Sequence, residues 1–301
     1  MKFAVFTAST PEWTPQEAAA TLSAQGWDGV EWRITDQKES ETPGFWAGNR
    51  ATWPFAGLEG RLDEIAALTR GAGLEFPALG GYARCDDHDG VERMLAATAA
   101  LGAGKVRVTT LPLGTVEMGG PPSGRSYPEL FAETREHFHW VAERAAHHGV
   151  TALVELHRGT VVASASASLR LLDGIDPRHV AVIHDVGNLI SEGQEDTLSA
   201  FQMLGERLAH VHVKNTRWAS RPSSESGVFE GTVDWAPQPA PLRAGQADLV
   251  AYFRALRAVG YDGWVTVEDF STERPLRERT ADNLRYLHAV AERVGSERAA
   301  A

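Results

Sequence analysis

The stretch LAHVHVKNTRW, residues 208–218, decides the reading of the fold. Val211 and Val213 alternate with His210, His212 and Lys214 at the period of two that marks a strand with two distinct faces. A strand buried on both sides in a parallel sheet reads as nearly continuous Val, Ile and Leu. This one instead carries two imidazoles and an ammonium along one face. Working outward, the amphipathic stretches EDTLSAFQMLGERL and DLVAYFRALRAVG flank it, and the same alternation runs nearly the whole chain. Strands are expected at 2–8, 28–34, 74–82, 105–113, 150–157, 179–187, 209–215 and 264–270, each followed by a helical pattern. Thr14, Pro15 and Gly26 punctuate the first helix as cap, first-turn residue and terminator. Eight strand–helix units imply right-handed parallel crossovers and fit an α/β (β/α)8 TIM barrel, one domain over 1–301 with long βα loops. The first strand is not followed by G-x-G-x-x-G, which weighs against a dinucleotide-binding sheet.

Two connections break the rhythm. Residues 36–58 hold Phe45, Trp46, Trp53 and Phe55, and residues 216–247 are rich in Pro, Ser and Gly. Both follow strands, so both are expected on the C-terminal rim, where barrel active sites form, as lids or subunit contacts; the aromatics of 36–58 also suit stacking on sugar faces or on an apolar aglycone. A third, Gly/Pro-rich connection is expected over 114–124.

The four strands of the second half each end in a charged or metal-binding group. VELH supplies Glu155 and His157, IHDVGN supplies Asp185, HVHVKN supplies His212, and VTVEDF supplies Glu268. Glu155 to Asp185 and Asp185 to His212 are each about one barrel unit apart, and the longer step to Glu268 contains the 216–247 insertion. Equivalent strand ends therefore converge on one rim. Three carboxylates packed there would repel, and desolvation would force protons onto some of them. A divalent cation removes that penalty. Three oxygen donors and one imidazole suit Mn²⁺ best, with Mg²⁺, Co²⁺ or Zn²⁺ as alternatives.

The neighbouring polar groups read differently. His210 shares the face of His212 but lies about 6.6 Å deeper, as a hydrogen-bonded support. Lys214 and His157, each two residues beyond a ligand candidate, are expected to contact substrate. Glu31 and Arg33, ending the second strand, either pair with each other or face the substrate. His184 points away from the Asp185 face, and Cys85 is an incidental thiol.

Composition narrows the function classes. A formal charge of −11, from 29 basic and 40 acidic residues, disfavours nucleic acid, which needs concentrated positive charge. MKFAVFTASTPEW is too short in apolar run for a secretory signal, and no stretch approaches a membrane span. One cysteine excludes a disulfide framework within the chain. A cytoplasmic protein is expected.

With GWDGVEW, VELH, HDVGN, AHVHVKN and GYDGWVTVEDF at the strand ends, the chain resembles the sugar phosphate isomerase/epimerase family of xylose-isomerase-like TIM barrels. The resemblance covers essentially the whole chain. It implies a metal quartet of Glu155, Asp185, His212 and Glu268, with Glu155 and Glu268 also serving as acid/base groups on opposite faces of a substrate. Two departures stand out: ketose 3-epimerases carry a His where this chain has Asn188, and members often read Lys-Asp where it has Lys214-Asn215. Asn188 is accordingly expected to face substrate. The activity implied is sugar or keto-sugar isomerisation or epimerisation by proton abstraction α to a carbonyl, through an enediolate stabilised by the metal. Dehydration or deglycosylation of a keto-sugar shares that first step, and a non-catalytic sugar-binding barrel is the remaining alternative. A homodimer or homotetramer is usual among such relatives. The DNA-repair endonucleases of the superfamily need three metals and a surface suited to DNA, which the charge balance opposes.

Overall fold

In the computed structural model, residues 1–114, 124–193, 195–223 and 230–297 are described. The expected connection at 114–124 lies almost wholly outside them, as do 224–229 of the second insertion. The chain runs β1 (Lys2–Phe6), α1 (Pro15–Gln25), β2 (Gly29–Ile34), α2 (Leu62–Gly71), β3 (Leu79–Gly81), α3 (His88–Leu101), β4 (Lys105–Arg107) and α4 (Tyr127–His148). It continues through β5 (Thr151–Glu155), α5 (Ala165–Leu171), β6 (Val180–Asp185), α6 (Val186–Glu192), α7 (Thr197–Leu204) and β7 (Leu208–Val213). The remaining elements are β8 (Asn215–Pro222), β9 (Val233–Ala240), α8 (Leu249–Ala258), β10 (Trp264–Val267) and α9 (Leu276–Ser296).

Eight strands, β1 to β7 and β10, close into a parallel barrel, with β10 sealing the ring against β1. The start of α1 follows its sequence: Thr14 and Glu17 form a reciprocal capping box, Pro15 occupies the first turn, and Gly26 ends the helix at φ 88°. Closure also constrains the inside. A Cβ on Gly80 of β3 would meet Phe6 Cε2 of β1 at 2.0 Å, so glycine is what lets Phe6 fill the barrel centre. Among the described residues, no helix is long and apolar enough to cross a membrane.

Two expectations need correction. The 216–247 insertion is not merely a loop: β8 and β9 form an antiparallel hairpin in which Asn215 pairs with Ala240 and Pro222 with Val233. Pro237 and Pro239 stand two residues apart, so their missing donors fall on one edge of the ribbon, which a hairpin tolerates. A short helix, α6, begins immediately after β6, where only a connection was expected. Asp185 starts it by capping the amides of Gly187 and Asn188.

Candidate metal centre

Barrel register brings the strand ends together. Asp185 of β6 pairs directly with His212 of β7, His212 pairs with Thr266 of β10, and Glu155 ends β5 beside Ile183. Glu268 follows β10, its amide donating to the Val213 carbonyl at 3.0 Å. One ligand atom from each of Glu155, Asp185, His212 and Glu268 lies within 4.8 Å of all the others, and all four residues are buried.

Each side chain is aimed by a neighbour. Asp185 Oδ1 accepts the Gly187 and Asn188 amides at 2.9 and 3.1 Å, which turns Oδ2 towards the cluster. That geometry needs glycine at 187, where a Cβ would meet Lys214 Cγ at 2.1 Å. Glu155 Oε2 accepts from Arg107 Nη1 at 2.6 Å, and its Oε1 accepts from Asn188 Nδ2 at 3.2 Å. The Lys214 ammonium stands 2.5 Å from Glu268 Oε2 and 2.8 Å from Asp185 Oδ2, the latter off the hydrogen-bonding direction. His212 presents Nε2 to Glu31 at 3.2 Å, while its buried Nδ1 faces Glu155 Oε1 at 3.8 Å without a hydrogen bond.

The electrostatics follow from this packing. Burial pushes the Asp185 carboxyl up to about 7, Lys214 pulling it down and Glu268 and Glu155 adding to the rise. Burial alone would raise Glu155, but Arg107 and His212 hold it well below the usual carboxylate range. His212 resists its burial and sits well above an ordinary imidazole, because Glu31 and Glu155 flank it. Burial lowers His157. Three carboxylates with one imidazole nitrogen aimed among them fit a divalent cation, and two of the buried atoms that face the cluster, His212 Nδ1 and Asp185 Oδ2, make no hydrogen bond.

Above the cluster opens a cavity of about 880 Å³, lined at its deep end by Glu155, Arg107, Asn188, His157, Lys214 and Glu268. Not every expected site residue reaches it. Glu31 is a correction: its fully buried carboxylate is taken up by His210 Nε2 at 2.8 Å and by His212, leaving nothing for a substrate. Arg33 is another: it does not pair with Glu31 but donates to the Phe45 carbonyl at 2.5 Å and lies over the Phe45 and Tyr82 rings. Asn188 and Lys214 line the cavity, yet each is also engaged with a carboxylate of the cluster. His157 lines it while its Nδ1 meets the Arg158 carbonyl at 2.6 Å. His210 lies beneath His212 as anticipated, and His184 points outward to Tyr252 Oη at 2.8 Å. Cys85 is buried, its thiol pushed up to about 12 by desolvation. Arg107 was not anticipated, although a charge between Val106 and Val108 on a barrel strand is the signal that marks it.

The family model described as xylose isomerase-like TIM barrel matches residues 19–290, and the chain belongs to that family. An inosose dehydratase of Geobacillus thermodenitrificans is 32% identical over 130 residues, 42% of this chain and 43% of that protein. That match spans less than half the length of the curated relative. Among solved structures, the E. coli 3-keto-D-glucoside 4-epimerase superposes at TM-score 0.67 with 17% identity, covering 96% of this chain and 99% of the other. A xylose isomerase-like TIM barrel protein from Mycobacterium smegmatis, in complex with magnesium, superposes at 0.69 with 16% identity, covering 97% of each chain. At such identities these structures speak for the barrel alone.

Proposed function

We propose that the chain is a cytoplasmic, metal-dependent sugar or keto-sugar isomerase or epimerase that removes a proton α to a carbonyl. The observation that carries this is the convergence of Glu155, Asp185, His212 and Glu268 within 4.8 Å, with Glu155 and Glu268 lining the cavity. These four would hold one divalent ion, with Mn²⁺ the ion their oxygen-rich set favours. When bound, the ion supplies Lewis-acid polarisation of a substrate oxygen beside the reacting carbon. The rest falls to the chain. Glu155, kept ionised by Arg107 and steered by Asn188, and Glu268, beside the Lys214 ammonium, are positioned to take the proton and to return it. Return to the opposite face of the same carbon gives epimerisation, and return to the adjacent carbon gives isomerisation. His157, Lys214 and Asn188 orient substrate hydroxyls from the cavity wall.

A lyase outcome has its own support in the relatives named inosose dehydratase. There the same first step is followed by loss of a β-hydroxyl as water. Incubating the Mn²⁺-loaded protein with ketoses, inososes and keto-glycosides in D₂O reads both at once. Deuterium at the α-carbon is expected with the wild type and is lost in Glu155→Gln and Glu268→Gln. Product NMR separates an epimer from a dehydrated sugar. Exchange persisting in both variants would refute the acid/base assignment.

A further inference from the structure

The cavity is built for more than one sugar ring. Its deep end is polar, but one wall is a continuous run of aromatic rings leading outward. The Phe270 ring lies 5.9 Å from Lys214 Nζ, Phe45 packs edge-on to Phe270 at 5.1 Å, and Trp46 packs edge-on to Phe45 at 4.2 Å. Pro237 and Pro239 of the hairpin also line the cavity. Arg33 anchors the aromatic run from the barrel side, with its guanidinium 4.8 Å from the Phe45 ring centre and a hydrogen bond to the Phe45 carbonyl. Trp46, at the outer end, is 65% exposed although it lines the cavity.

A single sugar ring carries hydroxyls around its edge. Bound against Glu155, Arg107, His157 and Lys214, it satisfies the deep end and leaves the aromatic wall wet. A cavity near 880 Å³ is the size that encloses a drug-sized ligand, several times a lone ring. The exposed Trp46 face, in a lining that also includes the two prolines, offers apolar surface to something flat, where burial of ring area adds affinity that hydroxyls cannot.

We infer that the substrate is a glycoside of a keto-sugar, its sugar ring on the carboxylate cluster and a flat, apolar aglycone on Phe45 and Trp46. This rests on the reaction proposed above and adds the group beyond the reacting ring.

The test uses the full chain loaded with Mn²⁺ and calorimetric binding of phenyl β-D-glucoside, methyl β-D-glucoside and cellobiose. The phenyl glucoside is expected to bind at least about tenfold tighter than the other two. Trp46→Ala is expected to erase that difference and Trp46→Phe to keep it; Trp46 is exposed, so folding is not at stake. Equal binding of phenyl and methyl glucosides, no binding of either, or a preference that survives Trp46→Ala overturns the inference. Cellobiose matching the phenyl glucoside overturns it in favour of an oligosaccharide. The deuterium-exchange experiment judges the reaction separately: a phenyl preference without exchange leaves the slot standing and removes the chemistry.

Discussion

Glu31 and His212 face each other inside the barrel, the carboxylate 3.2 Å from His212 Nε2 on the side of the ring away from Glu155. Because a carboxylate accepts, Nε2 carries a proton, and Nδ1 is the nitrogen turned towards the other three donors. Carboxylates in this position fix the tautomer of a metal-ligating histidine and raise its basicity. His210 holds the far side of Glu31 at 2.8 Å. Together with His212 it keeps the Glu31 carboxyl well below its usual range, although burial alone would raise it. Glu31→Gln keeps the shape and removes the charge. Its metal affinity is expected to fall about 10- to 100-fold, read by calorimetry and by the visible spectrum of a Co²⁺-loaded sample. Unchanged affinity would reduce Glu31 to a structural role.

Metal binding should depend on pH near neutrality. Asp185 is pushed up to about 7 and His212 lies well above an ordinary imidazole, so without metal both hold protons that a cation must displace. The sign is therefore fixed: affinity rises with pH by about one decade per unit for each proton displaced, and the Asp185 share fades above about 7, where that carboxyl is already ionised. Titration calorimetry in buffers of different ionisation enthalpy would count the released protons. A pH-independent affinity contradicts the arrangement.

Lys214 competes with the cation. Its ammonium rests on Asp185 and Glu268, two members of the quartet, and a divalent ion brought beside it meets like charge. Lys214→Met is expected to bind Mn²⁺ about tenfold tighter while turning over substrate more slowly. Weaker metal binding in Lys214→Met would show that the ammonium supports the site.

Arg107 carries structure as well as chemistry. Its pair with Glu155 is buried, at 7% and 6% side-chain exposure, and the guanidinium also covers the Tyr82 and Phe6 rings. Arg107→Met strands a buried carboxylate, so stability is expected to drop by about 3–5 kcal/mol. Denaturant midpoints measure this. The double variant Arg107→Met/Glu155→Gln should recover part of the loss, since the stranded charge is gone.

Gly80 is a steric prediction remote from charge. Gly80→Ala forces its methyl into the Phe6 ring, and overpacking of this kind costs about 1–3 kcal/mol. Phe6 packs 5.6 Å from the His212 ring, so a lower denaturation midpoint should come with weakened metal binding. An undisturbed midpoint would mean that the barrel centre yields more easily than its packing indicates.

Much of the architecture was legible because barrel units repeat. Period-two strands, caps such as Thr14 and terminators such as Gly26 act over a few residues, and local backbone preference is enough to place them. The hairpin of β8 and β9 escaped notice because its Pro and Ser content reads as loop, while its pairing joins residues up to 25 apart, Asn215 with Ala240. Helix α6 escaped because its seven residues are too short for a periodic signal.

The sequence by itself determined which strand ends carry Glu155, Asp185, His212 and Glu268, since alternation along a strand and one unit per turn of the barrel leave little freedom. Only the tertiary structure decided what each of those groups leans on. Glu31 supports His212 from 181 residues away, Arg107 clamps Glu155 from 48, and Arg33 turns aside to brace Phe45 instead of meeting Glu31. Such partners are chosen by barrel closure and by the direction each side chain takes across the interior. Spacing along the chain encodes neither.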